Sequence, residues 1–198
     1  MKKALVIVAH PDDETIWMGG TILQNPDWNW TIFSLCRADD PDRAPKFKEV
    51  CKRLKAKSII TDLDDESDEP LSSDGMKEAI LENLEETIYD LIFTHGANGE
   101  YGHIRHVGVH EAVTELVQEK KLKCNKLWYF DYIPGTEISP HDNKTIIPIP
   151  NKKADWIVKL TEKEYQGKLR VITKIYGYIP PIFETMACAR EEAFSQHN

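Results

Sequence analysis

The stretch Ala4-Leu5-Val6-Ile7-Val8-Ala9-His10-Pro11-Asp12-Asp13-Glu14 changes character at a single point. Its first six residues are apolar with no polar face, the pattern of a strand buried on both sides inside a parallel sheet. The next five carry one imidazole and three carboxylates. In open parallel sheets, ligands and chemistry sit just beyond the carboxyl ends of the strands. The densest polar cluster therefore falls where a site is expected. The plainer alternative is that Pro11 ends the strand and His10 is a turn residue. Asp13 and Glu14 would then only complement the dipole of a helix over residues 15–24.

Outward from this point, strand-like and helix-like segments alternate, which predicts an α/β sheet built of βαβ units. The first helix contains Gly19-Gly20; each glycine lowers helix propensity by ~1 kcal/mol, so the pair predicts close packing on the sheet. Trp30-Thr31-Ile32-Phe33-Ser34-Leu35-Cys36 predicts a second strand. Phe47, Val50, Cys51 and Leu54 share one face of a helix over 44–55. Ser58-Ile59-Ile60-Thr61 and Leu91-Ile92-Phe93-Thr94 predict short strands, separated by a helix over 76–87 that turns Ile80, Leu84 and Ile88 inward. Leu127-Trp128-Tyr129-Phe130 reads as a fifth strand. Residues 131–150, rich in Pro, Gly and Asn, predict an irregular excursion with a short strand at Ile146-Ile147. Thr161-Glu162-Lys163-Glu164 is a capping box. Tyr176, Tyr178, Pro180, Pro181, Phe183 and Met186 predict a lid or rim. Residues 1–198 read as one domain whose 131–198 part is more irregular and rims the site.

The chain has 198 residues, 33 acidic and 25 basic side chains, and a formal net charge of −8. Its 41% hydrophobic content suffices for a sizeable core. No basic stripe is present, which argues against nucleic acid and anionic membranes as partners. The apolar run after Met1-Lys2-Lys3 meets no small-residue cleavage site, and no apolar segment approaches the ~20 residues that span a bilayer. Cys36, Cys51, Cys124 and Cys188 form no C-x-x-C pair, so reduced thiols in a cytoplasmic protein are expected. Residues 62–74 hold seven carboxylates and read as a solvated loop, without the spacing of a calcium loop. No Gly-x-Gly-x-x-Gly follows the first strand, which argues against a dinucleotide cofactor.

A second cluster follows the fourth strand. The loop Gly96-Ala97-Asn98-Gly99-Glu100-Tyr101-Gly102 leads into His103-Ile104-Arg105-His106 and a helix to about residue 120. His103, His106 and His110 lie three and four apart, spacings that share a helix face. Val109, Val113, Leu116 and Val117 mark the buried stripe, and His106 falls inside it. A histidine on an apolar face is more often a satisfied core residue than a ligand. The two clusters together point elsewhere, because both follow strands of one sheet and meet at its carboxyl edge. One imidazole and one carboxylate from the first, with one imidazole from the second, make a His-Asp-His set. Catalytic zinc uses three such N/O ligands and keeps a fourth position for water.

With Ala9-His10-Pro11-Asp12-Asp13-Glu14 behind an apolar strand and Gly102-His103-Ile104-Arg105-His106 opening a later helix, the chain resembles the PIG-L/LmbE-like family of zinc-dependent N-deacetylases. The order of elements is also similar over roughly the first 130 residues, while the last third matches loosely. The resemblance implies a Rossmann-like three-layer α/β sandwich with a mostly parallel sheet. It also implies one zinc ion per chain and removal of an N-acetyl group from an N-acetylglucosamine-type sugar conjugate. By motif position it implies His10, Asp13 and His106 as metal ligands, Asp12 as general base, and His103 as oxyanion stabiliser or acid. Glu14 would either support the ligands or start the helix.

The chain departs from the family at Arg105, where many members carry an Asp that steers the preceding histidine. Glu100 or another acid is expected to serve His103 instead, and Arg105 is either a substrate contact or a surface arginine. Arg37, Asp39, Arg43, Asp62 and Asp64, which follow the second and third strands, are candidates to grip sugar hydroxyls, against the plainer reading of solvated loop charge. Iron or manganese also suits a mixed N/O site. Two readings come from other classes: a sugar- or nucleotide-binding domain whose metal is closed off by protein ligands, and a phosphoesterase with two metals ~4 Å apart. A small-molecule substrate is expected, and a homo-oligomer is compatible with the sequence.

Overall fold

Side-chain alternation in the first strand decides how the layers form. The structure, a computed structural model, describes residues 1–67 and 69–197. Strand β1 (Lys3–Val8) turns Ala4, Val6 and Val8 to one face and Leu5 and Ile7 to the other, all buried. Helices α1 (Asp13–Gln24) and α2 (Arg43–Arg53) cover the first face. Helices α3 (Ser73–Asn83) and α5 (Ile104–Gln118) cover the second. Both faces of the sheet are thereby removed from water, which is why β1 carries no polar side chain between Ala4 and Val8.

Strand β1 lies between β2 (Asn29–Cys36) and β4 (Ile88–Thr94). Strand β3 (Lys57–Leu63) adds outside β2, and β5 (Lys123–Phe130) outside β4, all parallel. Two further strands continue the sheet antiparallel: β9 (Glu191–Gln196) on β5, then β8 (Trp156–Lys159) on β9. The order is β3-β2-β1-β4-β5-β9-β8. The strand order reverses between β1 and β4, and the chains leaving their carboxyl ends diverge there. That crevice is the general ligand position of open α/β sheets.

The structure corrects several expectations. Helix α3 stops at Asn83, and Ile88, expected inward on that helix, instead opens β4 with 62% exposure. Glu85 and Glu86 oppose the negative end of the helix dipole, and β-branched Thr87-Ile88 favour extended backbone. The expected excursion over 131–150 contains an antiparallel hairpin, β6 (Tyr132–Ile138) and β7 (Ile146–Pro150). Its paired Pro134 and Pro148 are tolerated because each strand of a two-stranded ribbon has a free edge.

The capping box forms at Thr161 and opens α6 (Glu162–Arg170), which runs into a π-helical segment, Val171–Tyr176, and later a short helix α7 (Phe183–Ala187). Gly20 does permit a close approach, but to Leu160 rather than the sheet: an added Cβ would lie 2.2 Å from Leu160 Cδ2. Nearby, the buried Glu192 carboxylate accepts from the Gly20 and Thr21 N–H groups and from Lys168 Nζ at 2.7–2.8 Å. The last third of the chain is thus fastened to α1 by hydrogen bonds to Glu192, whose charge is balanced by buried Lys168. No helix among the described residues is long and apolar enough to cross a membrane.

Candidate metal-dependent active site

Between β1 and α1 the backbone makes a costly turn. Asp12 adopts φ 111° and ψ −29°, in the left-handed region that non-glycine residues avoid. Glu14 braces it: its Oε2 accepts the Asp12 N–H at 3.0 Å, while Oε1 accepts from the Thr15 hydroxyl and from Tyr176 Oη at 2.9 Å. Burial pushes the Glu14 carboxyl up to about 7 despite these donors. Glu14 therefore does more than start the helix; it fixes the conformation of the residue two places before it.

Three side chains from two elements then converge. His10 Nδ1 lies 3.2 Å from Asp13 Oδ2, and His106 Nε2 lies 3.3 Å from each of them. The second polar atom of every one is already engaged. His10 Nε2 meets Asp65 Oδ1 at 2.8 Å, Trp17 Nε1 donates to Asp13 Oδ1 at 2.8 Å, and His106 Nδ1 meets Glu100 Oε2 at 2.6 Å. Those carboxylates accept the N–H of each neutral imidazole, which leaves three lone pairs facing one point. Tetrahedral N/O ligands at 2.0–2.2 Å from zinc stand about 3.3–3.6 Å from one another. The donor set and its spacing fit a divalent cation. Asp13 is the charged centre: burial would raise its carboxyl, but His106, His95 and His10 hold it well below the usual carboxylate range. In return Asp13 raises His10 and His106 above ordinary histidine, against the pull of burial.

Two residues of this site carry no motif. His95, fully buried at the end of β4, stacks on His106 with ring centroids 3.8 Å apart. The Ala9 N–H donates to His95 Nε2 at 3.0 Å, so Nδ1 carries the proton and donates to Glu100 Oε2 at 2.8 Å. Glu100, in the short helix α4 (Gly99–Gly102), has φ 60° and accepts the Gly96 N–H as well. Burial opposes its charge, but His95 and His106 hold its carboxyl at about 2. The sequence pointed to Glu100 as a partner of His103; it serves His106 and His95 instead. Its position six residues before His106, in a glycine-rich loop, was the available signal.

His103 caps α5, its Nδ1 accepting the Arg105 N–H at 3.2 Å, so the proton resides on Nε2. Burial, with His106 and His10 close by, pushes its pKa down to about 3, leaving a neutral hydrogen-bond donor. Asp12 Oδ2 accepts from Arg43 Nη1 at 2.7 Å and from the Tyr178 hydroxyl. Burial and neighbouring Asp13 raise the Asp12 carboxyl to about 7, against the opposing influence of Arg43 and Tyr178.

Arg105 has neither role expected of it. It is buried, and its guanidinium donates to the carbonyls of Asp64, Ser67 and Glu69 at 2.6–2.7 Å. It pins the acidic loop, whose Asp68 lies outside the described residues. That loop is consequently not a purely solvated one: Asp65 points inward, between His10 and Arg37, and these donors hold its carboxyl at about 2 despite burial.

A cavity of about 160 Å³ opens over these groups. Arg37 and Arg43 line it, as do Tyr101, Phe183 and Glu184. Asp39, Asp62 and Asp64 do not; with Glu66 they line an adjoining depression that shares Arg37 and Asp65 with the cavity. Tyr178 and Phe183 bring the last third of the chain to the rim, and Met186 packs against the core behind it.

Residues 5–117 match the family described as PIG-L, GlcNAc-PI de-N-acetylase. The uncharacterized protein L374 of Acanthamoeba polyphaga mimivirus is 25% identical over 190 residues, covering 88% of this chain and 76% of that protein. Among solved structures, the N,N'-diacetylchitobiose deacetylase of Pyrococcus horikoshii is similar with a TM-score of 0.72 at 17% identity, covering 99% of this chain and 84% of its own. GalB, the 4-carboxy-2-hydroxymuconate hydratase of Pseudomonas putida KT2440, reaches 0.64 at 12% identity, covering 99% of this chain and 96% of its own. A deacetylase and a hydratase thus share this architecture, so activity has to be argued from the site. Since the family match covers more than half of the sequence and takes in both histidine clusters, the chain belongs to the PIG-L family of GlcNAc-PI de-N-acetylases.

Proposed function

We propose that this protein is a metal-dependent amidohydrolase that removes an N-acetyl group from an N-acetylglucosamine-type sugar conjugate. The observation that carries the reading is the triangle of His10 Nδ1, Asp13 Oδ2 and His106 Nε2, 3.2–3.3 Å on a side, with the Asp12 carboxylate next to it in a cavity. A divalent cation held by these three side chains, zinc in our assignment, supplies Lewis acidity that makes water acidic near neutral pH and polarises a carbonyl.

The protein's own groups do the rest. Asp12 takes the proton of water as the water oxygen attacks the amide carbon. Its Oδ2 is pinned by Arg43 and Tyr178, so it presents Oδ1 in a fixed direction. The His103 Nε2–H donates to the carbonyl oxygen as negative charge develops there; one such donor contributes ~3 kcal/mol. Asp12 then returns the proton to the nitrogen as the C–N bond breaks, and acetate and a free amine leave. A carboxyl raised to about 7 beside the ligands, yet outside the triangle, suits a base and serves no purpose in a purely structural metal site.

The test is release of free amine from a panel of N-acetylated glucosamine derivatives, with and without chelator. Asp12→Ala and Asp12→Asn should lower turnover about 10²- to 10⁴-fold while retaining metal. Unchanged turnover would remove Asp12 as the base. Two metals per chain would favour a phosphoesterase, and one metal without hydrolysis a binding domain.

A further inference from the structure

One carboxylate of the cavity wall is left over. Among the described residues, Glu184 Oε2 alone of the buried side-chain nitrogens and oxygens has no hydrogen-bond partner. Buried polar atoms are as a rule paired, so such an atom calls for an explanation. Glu184 lines the same cavity as Asp12, Arg43 and His103. Its segment is fixed there: the preceding Phe183 packs on Tyr101 with ring centroids 4.6 Å apart, and Ile182 and Thr185 bond one another across the first turn of α7.

The charges of the cavity show what Glu184 lacks. Arg37 is paired with Asp65, and Arg43 with Asp12. Asp13 is committed to His10, His106 and Trp17. Each arginine of the wall therefore already has a carboxylate; Arg43 also feels the charge of Glu184, but among the described residues Glu184 forms no ion pair of its own. The carboxylate oxygens accept hydrogen bonds, so the fitting partner is an N–H or O–H group that comes with the ligand. Negative charge at this spot is repelled.

We infer that Glu184 is a substrate-recognition residue: its carboxylate accepts a hydrogen bond from a hydroxyl or an amine of an uncharged or cationic amino sugar, and selects against a phosphate or carboxylate in that position. The inference rests on the sugar-deacetylase reading above and gives it a substrate class. It also assigns a task to the last third of the chain, where the sequence offers no motif.

Calorimetric titration of the metal-loaded protein tests it, with the methyl glycosides of glucosamine and N-acetylglucosamine, their 3-, 4- and 6-deoxy forms, and N-acetylglucosamine 6-phosphate as probes. Glu184→Ala should weaken the unphosphorylated sugars about 10- to 100-fold, and Glu184→Gln by less, since an amide oxygen still accepts. Metal content should stay at the wild-type level in both, and KM should change more than kcat. If a hydroxyl is the donor, one deoxy sugar will bind the wild type as weakly as the full sugar binds Glu184→Ala. If the amine is the donor, glucosamine will lose more than N-acetylglucosamine. Glu184→Lys should improve the phosphorylated sugar relative to the others.

Wild-type affinity for every probe in Glu184→Ala overturns the inference alone. Glu184-dependent binding without hydrolysis overturns the deacetylase reading and leaves this one standing. A wild-type protein that binds none of the sugars overturns both.

Discussion

Asp12 shows how one residue can be tuned by its neighbours. Its motif is plain in the sequence, but its left-handed backbone, the Glu14 brace and the Tyr178 contact come from contacts that no spacing reveals. In the metal-free protein its carboxyl is raised from 3.8 to about 7, by burial first and Asp13 second. A folded-state value above the unfolded one means that this group favours folding most below pH 3.8. That contribution is lost as the pH rises through 7. Catalysis has the opposite sign, because the base must be ionised. A ¹³C titration of the metal-free protein should give an Asp12 midpoint near 7, and a bound cation should move it down; a midpoint near 4 without metal would refute the role of burial. Glu100 makes a second case. It fixes the His106 tautomer through a 2.6 Å bond, so Glu100→Gln should weaken metal affinity about 10- to 100-fold in a chelator competition. Lowering the pH should weaken the wild type as well, since Asp13 makes His10 and His106 hold protons tightly and protons compete with metal. His95 and Glu100 escaped the sequence because their geometry is made by the turn at Glu100, with φ 60°, rather than by a periodic pattern.

At the level of elements, the acidic loop after β3 is the instructive one. Like charges in a row suggest a hydrated loop, and the reading holds only until Arg105 is placed. That side chain enters from the first turn of α5 and takes three loop carbonyls, which carries Asp65 onto His10. A backbone-directed arginine leaves no sequence signal, because its partners are carbonyls that every residue has. The arrangement predicts a chain of influence. Asp65→Asn should lower metal affinity, and Arg105→Lys should do so by loosening the loop. In the Asp65→Asn background, Arg105→Lys should cost little more, which a double-mutant cycle on metal affinity would read directly. Equal losses in both backgrounds would make Arg105 a general packing residue. The parallel strands, by contrast, were legible, because burial on both faces leaves continuous apolar runs. Strands β8 and β9 were not: Glu191-Glu192 opens β9 with charge, and the charge of Glu192 is spent inside the molecule while Glu191 pairs with surface lysines.

Across the whole molecule, the sheet's reversal of order between β1 and β4 sets the two histidine clusters side by side, and the remaining third closes the wall around them. That closure hangs on Lys168 and Glu192, both fully buried, which tie α6, β9 and α1 together. Lys168→Met strands a buried carboxylate and should cost about 3–5 kcal/mol, a fall in Tm on the order of 10 °C. Replacing both partners by apolar groups should recover much of the loss; an equal fall in the double variant would point to packing rather than charge.

The sheet is also threaded out of sequence. Strand β9 follows β8 in the chain yet stands between β8 and β5. During synthesis the ribosome delivers β8 before the neighbour it needs, and β5 keeps a bare flank until β9 slots in. A polypeptide released early, anywhere from about residue 160 to 190, would expose that flank to any passing strand, so truncated products of this gene should clump rather than accumulate as half-finished enzymes.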